Sequence, residues 1–205
     1  IYASARHHVG NLVRAHRQRL RRGYSRRHTK AHIPGRISID RRPAVVETRR
    51  QAGHWEADTV VSRQSKAALQ IAVERKTRLM KLKRMPAKTA EEMRKGLNRM
   101  LCRFPRRFLR TITYDNGTEN TEHQKVNRIL GTRSYFCAPF HSWERGTAEN
   151  SIGLVRRRLL KKTDFATVSD RRVKSIERWA NNRPRKCLDY ETPAEAARSC
   201  VALTS

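Results

Sequence analysis

From Trp55 onward, apolar positions fall into short periodic runs. In residues 55–61, Trp55, Ala57, Thr59 and Val61 alternate with Glu56, Asp58 and Val60, the period of a strand with two distinct faces. Residues 67–73 and 79–85 repeat that texture on either side of the turn-like stretch 74–78, which predicts three consecutive strands paired as a meander. Pro86 ends the run. Thr89 and Glu92 then stand at capping-box spacing ahead of Met93, Leu97, Met100 and Leu101, so a helix begins there. Residues 110–114 are rich in β-formers and stop at Asp115-Asn116-Gly117, a turn signal that sets Asp115 at the carboxyl end of a strand. A helix over 122–130 and a short strand over 134–138 follow. The next helix, 147–161, lines up Ala148, Ile152, Val155 and Leu159 on one face. A basic helix over 169–182 and a last short one opened by Thr192-Pro193 complete the pattern. Three strands followed by alternating helix and strand predict an α/β fold on a mixed sheet flanked by helices.

The segment before Trp55 has a different texture. Residues 1–50 carry fourteen Lys or Arg against Asp40 and Glu47 alone. Leu12, Val13 and Leu20 suggest a short basic helix whose apolar face is too thin to stand by itself. Ile33-Pro34-Gly35-Arg36 and Arg41-Arg42-Pro43 read as extended, because Pro restricts its own φ and the residue before it. Two regions result: a basic extended N-terminal arm over 1–52, with Arg36, Arg41 and Arg42 as candidate phosphate contacts, and a folded core over 53–205.

Charge decides the partner class. The 205 residues include 47 Lys or Arg and 18 Asp or Glu, a formal charge of +29 with a pI near 11.4. Such self-repulsion is relieved by a polyanion, which argues against an ordinary metabolic enzyme and for nucleic acid. A hydrophobic content of 37% still permits a core. No apolar run approaches the roughly 18 residues that span a bilayer, and no secretory signal opens the sequence, so no membrane role is expected. Cys102, Cys137, Cys187 and Cys200 show neither C-x-x-C spacing nor a disulfide framework, the pattern of free thiols in a reducing cytoplasm.

In so basic a chain the acids are informative. A carboxylate placed against phosphates weakens binding unless a cation lies between, and Mg²⁺ and Mn²⁺ take hard oxygen ligands. Asp58 within the first strand, Asp115 at the end of a later one and Glu149 at the start of a helix are the candidates, with 33 residues between the last two. Taken singly, each is more often an ordinary solvated or salt-bridged acid than a ligand.

The local sequence around them is specific. Gly53-His54-Trp55-Glu56-Ala57-Asp58-Thr59-Val60, Tyr114-Asp115-Asn116-Gly117-Thr118-Glu119 and Ser142-Trp143-Glu144-Arg145-Gly146-Thr147-Ala148-Glu149-Asn150 resemble the three signature blocks of the insertion-sequence-thirty family of bacterial transposases. Ile33-Pro34-Gly35-Arg36, Lys162-Thr163-Asp164-Phe165, Asn182-Arg183-Pro184-Arg185-Lys186 and Thr192-Pro193-Ala194-Glu195 extend the resemblance from about Arg36 to Ala197. It implies a ribonuclease-H-like integrase core in which Asp58, Asp115 and Glu149 hold two divalent ions, Mg²⁺ or Mn²⁺. It further implies hydrolysis at transposon ends, strand transfer of the 3′-hydroxyl into target DNA, an oligomer on double-stranded DNA, and a cytoplasmic, nucleoid-associated setting in bacteria. The sequence departs from the family at Ala57, where Gly is common, at Glu144, where Gln is frequent, and at Ala148, where Asn is frequent. The stretch before Arg36 is too short for the family's helix-turn-helix region. The competing reading is a basic nucleic-acid-binding protein without catalysis, or an inactive truncated element.

Other residues carry two readings each. Glu56 is a spare ligand or, more simply, an ion-pair partner of an Arg; Glu119 stands in the same position. Trp55 reads as a core anchor, and His54 either joins it or approaches DNA. His141 is a candidate phosphate contact, and Trp143 either stacks on a base or packs its loop. Arg156, Arg157, Arg158, Lys161 and Lys162 form a basic stripe beyond Glu149, expected to track the DNA backbone.

Overall fold

A computed structural model of the chain describes residues 33–139 and 141–202, the side chains of Ser142 and Trp143 excepted. The stretch around Leu12, Val13 and Leu20 and the side chain of Trp143 therefore lie outside the described residues. Five strands among them form one mixed sheet in the order β3-β2-β1-β4-β5. They are β1 (His54–Val61), β2 (Ala68–Glu74), β3 (Met80–Met85), β4 (Thr111–Tyr114) and β5 (Arg133–Phe136). The first three pair antiparallel as the expected meander, whereas β4 runs parallel to β1 and β5 parallel to β4. Parallel neighbours need long crossovers. Here α2 (Ala90–Leu101) makes the return to β4, and α3 (His123–Leu130) lies between β4 and β5.

Helices cover both faces of the sheet, so alternation along a strand separates two cores rather than core from solvent. On one face Trp55, Ala57, Ala68 and Ala72 pack with Met93, Leu97, Leu101 and Val126 of α2 and α3. Trp55 is the anchor expected of it, fully buried with its indole Nε1 donating to the Phe108 carbonyl at 2.9 Å. On the other face Val60, Leu69, Ile71 and Val73 pack beneath Val155 of α4 (Gly146–Arg156) and Val173, Ile176 and Ala180 of α5 (Asp170–Asn181). Both positional sets of β2 are consequently apolar or hydrogen-bonded, and all seven of its residues are buried. Glu56 and Asp58 share the parity of Val60 and face α4. Where α2 crosses β2, Gly96 permits a close approach: a Cβ there would overlap the carboxamide of Gln70, whose Nε2 donates to the Met93 carbonyl at 2.9 Å.

Both sheet edges are covered, which disposes of the unpaired groups that invite aggregation. Along β3, Asn181 of α5 accepts from Met80 N at 2.9 Å and donates to Met80 O at 2.7 Å, while Glu177 accepts from Leu82 N at 2.6 Å. Along β5, residues 33–38 lie alongside: Phe136 N donates to Ile37 O at 2.9 Å, and His123 Nε2 contacts Pro34 O at 2.8 Å. The extended reading of this segment thus describes chain that packs against the core. It continues into a short helix, α1 (Val45–Thr48), which the pattern did not predict. One turn with a single buried side chain, Val46, has no period to read.

One boundary is corrected. The helix expected to run to Lys161 ends at Arg156. Leu159 is still buried, but the chain beyond it is drawn toward the β1–β2 turn, where Asp164 accepts from Ser62 Oγ at 3.2 Å and also from Ser65 Oγ. No helix among the described residues is long and apolar enough to cross a membrane.

Candidate active site

Register brings two of the three candidate acids together. β1 and β4 are parallel neighbours with Glu56 beside Thr113, so two residues further along both strands stand Asp58 and Asp115. Strand parity directs both toward the α4 face. Asp115 is held by its turn: Asn120 Nδ2 donates to its Oδ1 at 2.7 Å and Gly117 N at 3.2 Å. Asp58 Oδ1 accepts from Thr59 N at 2.7 Å. Each carboxylate therefore keeps its Oδ2 for the cleft.

A guanidinium occupies the space between them. Arg145, immediately before α4 and only 8% exposed, places Nη1 at 2.7 Å from Asp58 Oδ2 and Nη2 at 3.9 Å from Asp115 Oδ2. Burial pushes the Asp58 carboxyl above its usual range, Arg145 opposes that, and Asp115 adds to it. Burial also disfavours charge on Arg145, yet Asp58 and Asp115 together raise its pKa above the ordinary value. Arg145 is thus a cation seated where two neighbouring anions need one.

Glu149 is not gathered with them. It lies exposed in the first turn of α4, and among the described residues no three His, Cys, Asp or Glu side chains are close enough to hold a metal ion. The three-carboxylate cluster expected from the sequence is therefore not assembled in this structure: two members are in place, with Arg145 between them. The two carboxylates nonetheless suit a hard divalent cation, since the Oδ2 atoms of both face the one cationic group, the Arg145 guanidinium.

Glu56 is an ion-pair partner, as expected, and does more. It is fully buried; Arg75 Nη1 approaches its Oε1 at 2.6 Å, and its Oε2 accepts from Ala148 N at 2.8 Å. That second bond caps the first turn of α4, the turn that carries Glu149. Arg75 continues to Glu47 Oε2 at 3.0 Å, and Glu47 also pairs with Arg42. Sequence reasoning missed Arg75 and Arg145, because cations are too common here to stand out. The signal available for Arg145 was its place three residues after Ser142 in the block that carries Glu149. Glu119 stays on the opposite face of β1, accepting from Thr59 Oγ1 at 2.8 Å and pairing with Lys88 at 2.9 Å. His54 is buried, contacting Thr111 Oγ1 at 2.9 Å and Gln51 Oε1 at 3.0 Å, and is not available to DNA.

The candidate phosphate contacts divide. Arg41, Arg157, Lys161 and Lys162 are exposed. Arg36 is exposed but donates to the Cys137 carbonyl at 3.1 Å, which also accepts from Asn116. His141 borders the cleft of about 400 Å³ between the Asp115 turn and Arg145, within 3.2 Å of Glu144. Arg42 is buried, donating to Thr113 Oγ1 at 2.8 Å. Arg156 lies 5.6 Å from the Phe165 ring centroid and donates to Leu160 O at 3.1 Å.

No family model matches the chain. Individual relatives do. It is 36% identical over 196 residues to the transposase for insertion sequence element IS4351 of Bacteroides fragilis, covering 94% of this chain and 60% of that protein. It is 34% identical over 197 residues to the transposase InsI for insertion sequence element IS30A of Escherichia coli K12, covering 91% of this chain and 51% of that protein. Over the matched span the chain resembles transposases of the IS30 family. It spans about half to three-fifths of the length of these curated relatives. The fold also has solved counterparts. The catalytic core domain of BIV integrase superposes with a TM-score of 0.56 at 19% identity, covering 70% of this chain and 92% of that one. A chain of the simian T-cell lymphotropic virus intasome in complex with the PP2A regulatory subunit B56 gamma gives 0.59 at 17%, over 71% and 54%. At such identities the likeness concerns architecture alone, and the architecture is ribonuclease-H-like.

Proposed function

We propose that this chain is the catalytic core of a DNA transposase that cuts phosphodiester bonds at transposon ends and joins the freed 3′-hydroxyl to target DNA. The observation that carries the reading is the side-by-side placement of Asp58 and Asp115 on adjacent parallel strands, with one oxygen of each facing the cationic Arg145 guanidinium. In this reading Asp58, Asp115 and Glu149 hold divalent metal, Mg²⁺ or Mn²⁺, in a two-ion arrangement. Bound there, such ions activate an attacking oxygen and stabilise the leaving one. On the same reading Arg145 neutralises the two aspartates at the position where a divalent ion would be held. Glu56 keeps the first turn of α4, which carries Glu149, on the sheet. In this reading Arg36, Arg41, His141, Arg157, Lys161 and Lys162 meet backbone phosphates, and the charge of +29 supports a DNA partner. Handling two transposon ends calls for a homo-oligomer on DNA, acting in the bacterial cytoplasm. The two-region division, a basic arm over 1–52 and a core over 53–205, belongs to the same proposal, with residues 33–52 serving as the arm's anchor on the core.

The test is metal-dependent cleavage and strand transfer with Asp58→Asn, Asp115→Asn and Glu149→Gln. Each substitution should abolish product while leaving duplex binding equal or tighter, because an anion facing phosphates is removed. Retained strand transfer in any of the three removes that residue from the site.

A further inference from the structure

On the flank of α4 adjoining Glu149 lies a second cavity, of about 240 Å³, lined among others by Arg49, Arg78, Arg185, Thr147, Asn150 and Ser151. Three guanidinium groups share it. None of them forms an ion pair with a carboxylate among the described residues. Glu47 and Glu56, whose charges reach Arg49, are already paired with Arg42 and Arg75. What hydrogen bonds the three do make are to neutral oxygens: Arg78 Nη1 to Thr147 Oγ1 at 3.1 Å and Arg185 Nη2 to Ala180 O at 3.2 Å. The Nε atoms of Arg78 and Arg185 are buried with no acceptor.

Several features oppose such an arrangement in an empty pocket. Burial, and then repulsion from Arg78 and Arg75, lowers the pKa of Arg49. Burial, and then Arg183 and Arg78, does the same to Arg185. Arg49 and Arg78 both sit in left-handed backbone, at φ 55° and 60°, a conformation uncommon outside glycine. The cavity meets α4 at its amino end, where the helix dipole adds positive potential and the Glu56 carboxylate already accepts from Ala148 N. At Gly146 a Cβ would meet nothing within 4 Å, so the first turn opens onto free space.

Like charges converge in this way where an anion completes them. Guanidinium forks match the tetrahedral oxygens of phosphate, and a helix amino end supplies the same preference. We infer that the cavity is a binding site for a phosphate group. Once filled, it ties the β2–β3 turn through Arg78, the segment after α5 through Arg185 and the end of α1 through Arg49 to the first turn of α4. The helix bearing Glu149 thereby gains a second tether besides the Glu56 cap. The site is independent of the proposed chemistry, since neither metal nor strand transfer enters into it. A DNA backbone phosphodiester and free inorganic phosphate present the same group, and only experiment separates these sources.

The experiment follows thermal unfolding of the full chain in inorganic phosphate against chloride at equal ionic strength. It compares the wild type, Arg49→Gln, Arg185→Gln and, as a control on exposed α3, Arg128→Gln. At phosphate near ten times its Kd, the wild type and Arg128→Gln should melt roughly 3 °C higher than in chloride. Arg49→Gln and Arg185→Gln should show no such rise. In chloride, Arg49→Gln should melt no lower than the wild type, because repulsion has been relieved; this separates loss of the site from a failure to fold. Repeating the titration with saturating duplex identifies the source. Loss of the phosphate effect means that DNA already fills the pocket, and persistence means that free phosphate is its ligand. A wild type that responds equally to phosphate and chloride, or variants that keep the full rise, would overturn the inference.

Discussion

Replacing Arg145 by Gln removes the cation between Asp58 and Asp115 while preserving most of its volume. The Arg145–Asp58 contact is 2.7 Å long, with side chains only 9% and 11% exposed, so solvent screens it weakly. Breaking one side of such a buried pair costs about 3–5 kcal/mol, because the remaining charge is left uncompensated. The contact with Asp115 is looser, at 3.9 Å with that carboxylate one-third exposed, and adds little after screening. In chelator, Arg145→Gln should therefore melt well below the wild type, by roughly 6–20 °C at about 2–4 °C per kcal/mol for a chain of this size. The sign reverses toward metal. The wild type must move its own cation before a divalent ion enters, and the variant need not. Mn²⁺ should consequently stabilise Arg145→Gln more than the wild type, with an apparent Kd at least roughly tenfold tighter, equivalent to about 1.4 kcal/mol. Unfolding curves in chelator and across a Mn²⁺ titration, with Mn²⁺ binding followed by electron paramagnetic resonance, measure both effects. Equal Mn²⁺ affinities in the two proteins would refute the idea that Arg145 stands in the metal's place.

Two further substitutions probe the surroundings. Glu56→Gln keeps an oxygen for Ala148 N but deprives the buried Arg75 of its closest anion, and should cost about 2–4 kcal/mol in urea unfolding. A loss below about 1 kcal/mol would mean that Glu47 alone suffices for Arg75. His54 predicts an acid limb of stability: burial first, then Arg110, Arg75 and Arg42, depress its pKa from 6.5 to about 4. The unfolded chain takes up this proton below pH 6.5 and the folded chain only near pH 4. Stability should therefore fall across that window, by about 3 kcal/mol at 1.36 kcal/mol per unit. His54→Asn should flatten that limb relative to the wild type, whereas parallel pH profiles would assign the loss to other groups.

Much of the scaffold was legible along the chain because its signals are local. Thr89 accepts from Glu92 N at 3.3 Å and Ser169 from Arg172 N at 3.2 Å, which are contacts within one helical turn. The Asn116-Gly117 turn stops β4 where the residues say it should, and the alternation in β1 correctly separates Trp55 from Glu56 and Asp58. What could not be read was long-range. The early end of α4 follows from Asp164 meeting Ser62 and Ser65 about a hundred residues away in sequence. Arg42 and Arg156, read as phosphate contacts, are instead engaged by Thr113, Glu47, Phe165 and Leu160. In a chain with 47 Lys and Arg, composition cannot say which cations have internal partners.

The sequence by itself determined the mixed α/β architecture, the family resemblance and the identity of the acids worth watching, because helix caps, strand alternation and contiguous motif blocks are properties of neighbouring residues. Tertiary structure alone decided the charge state of the site: that Asp58 and Asp115 stand level on parallel strands, that Arg145 lies between them, and that Glu149 waits outside. Pairing between strands more than fifty residues apart sets those positions, and Coulomb energy depends on distance through space rather than along the chain.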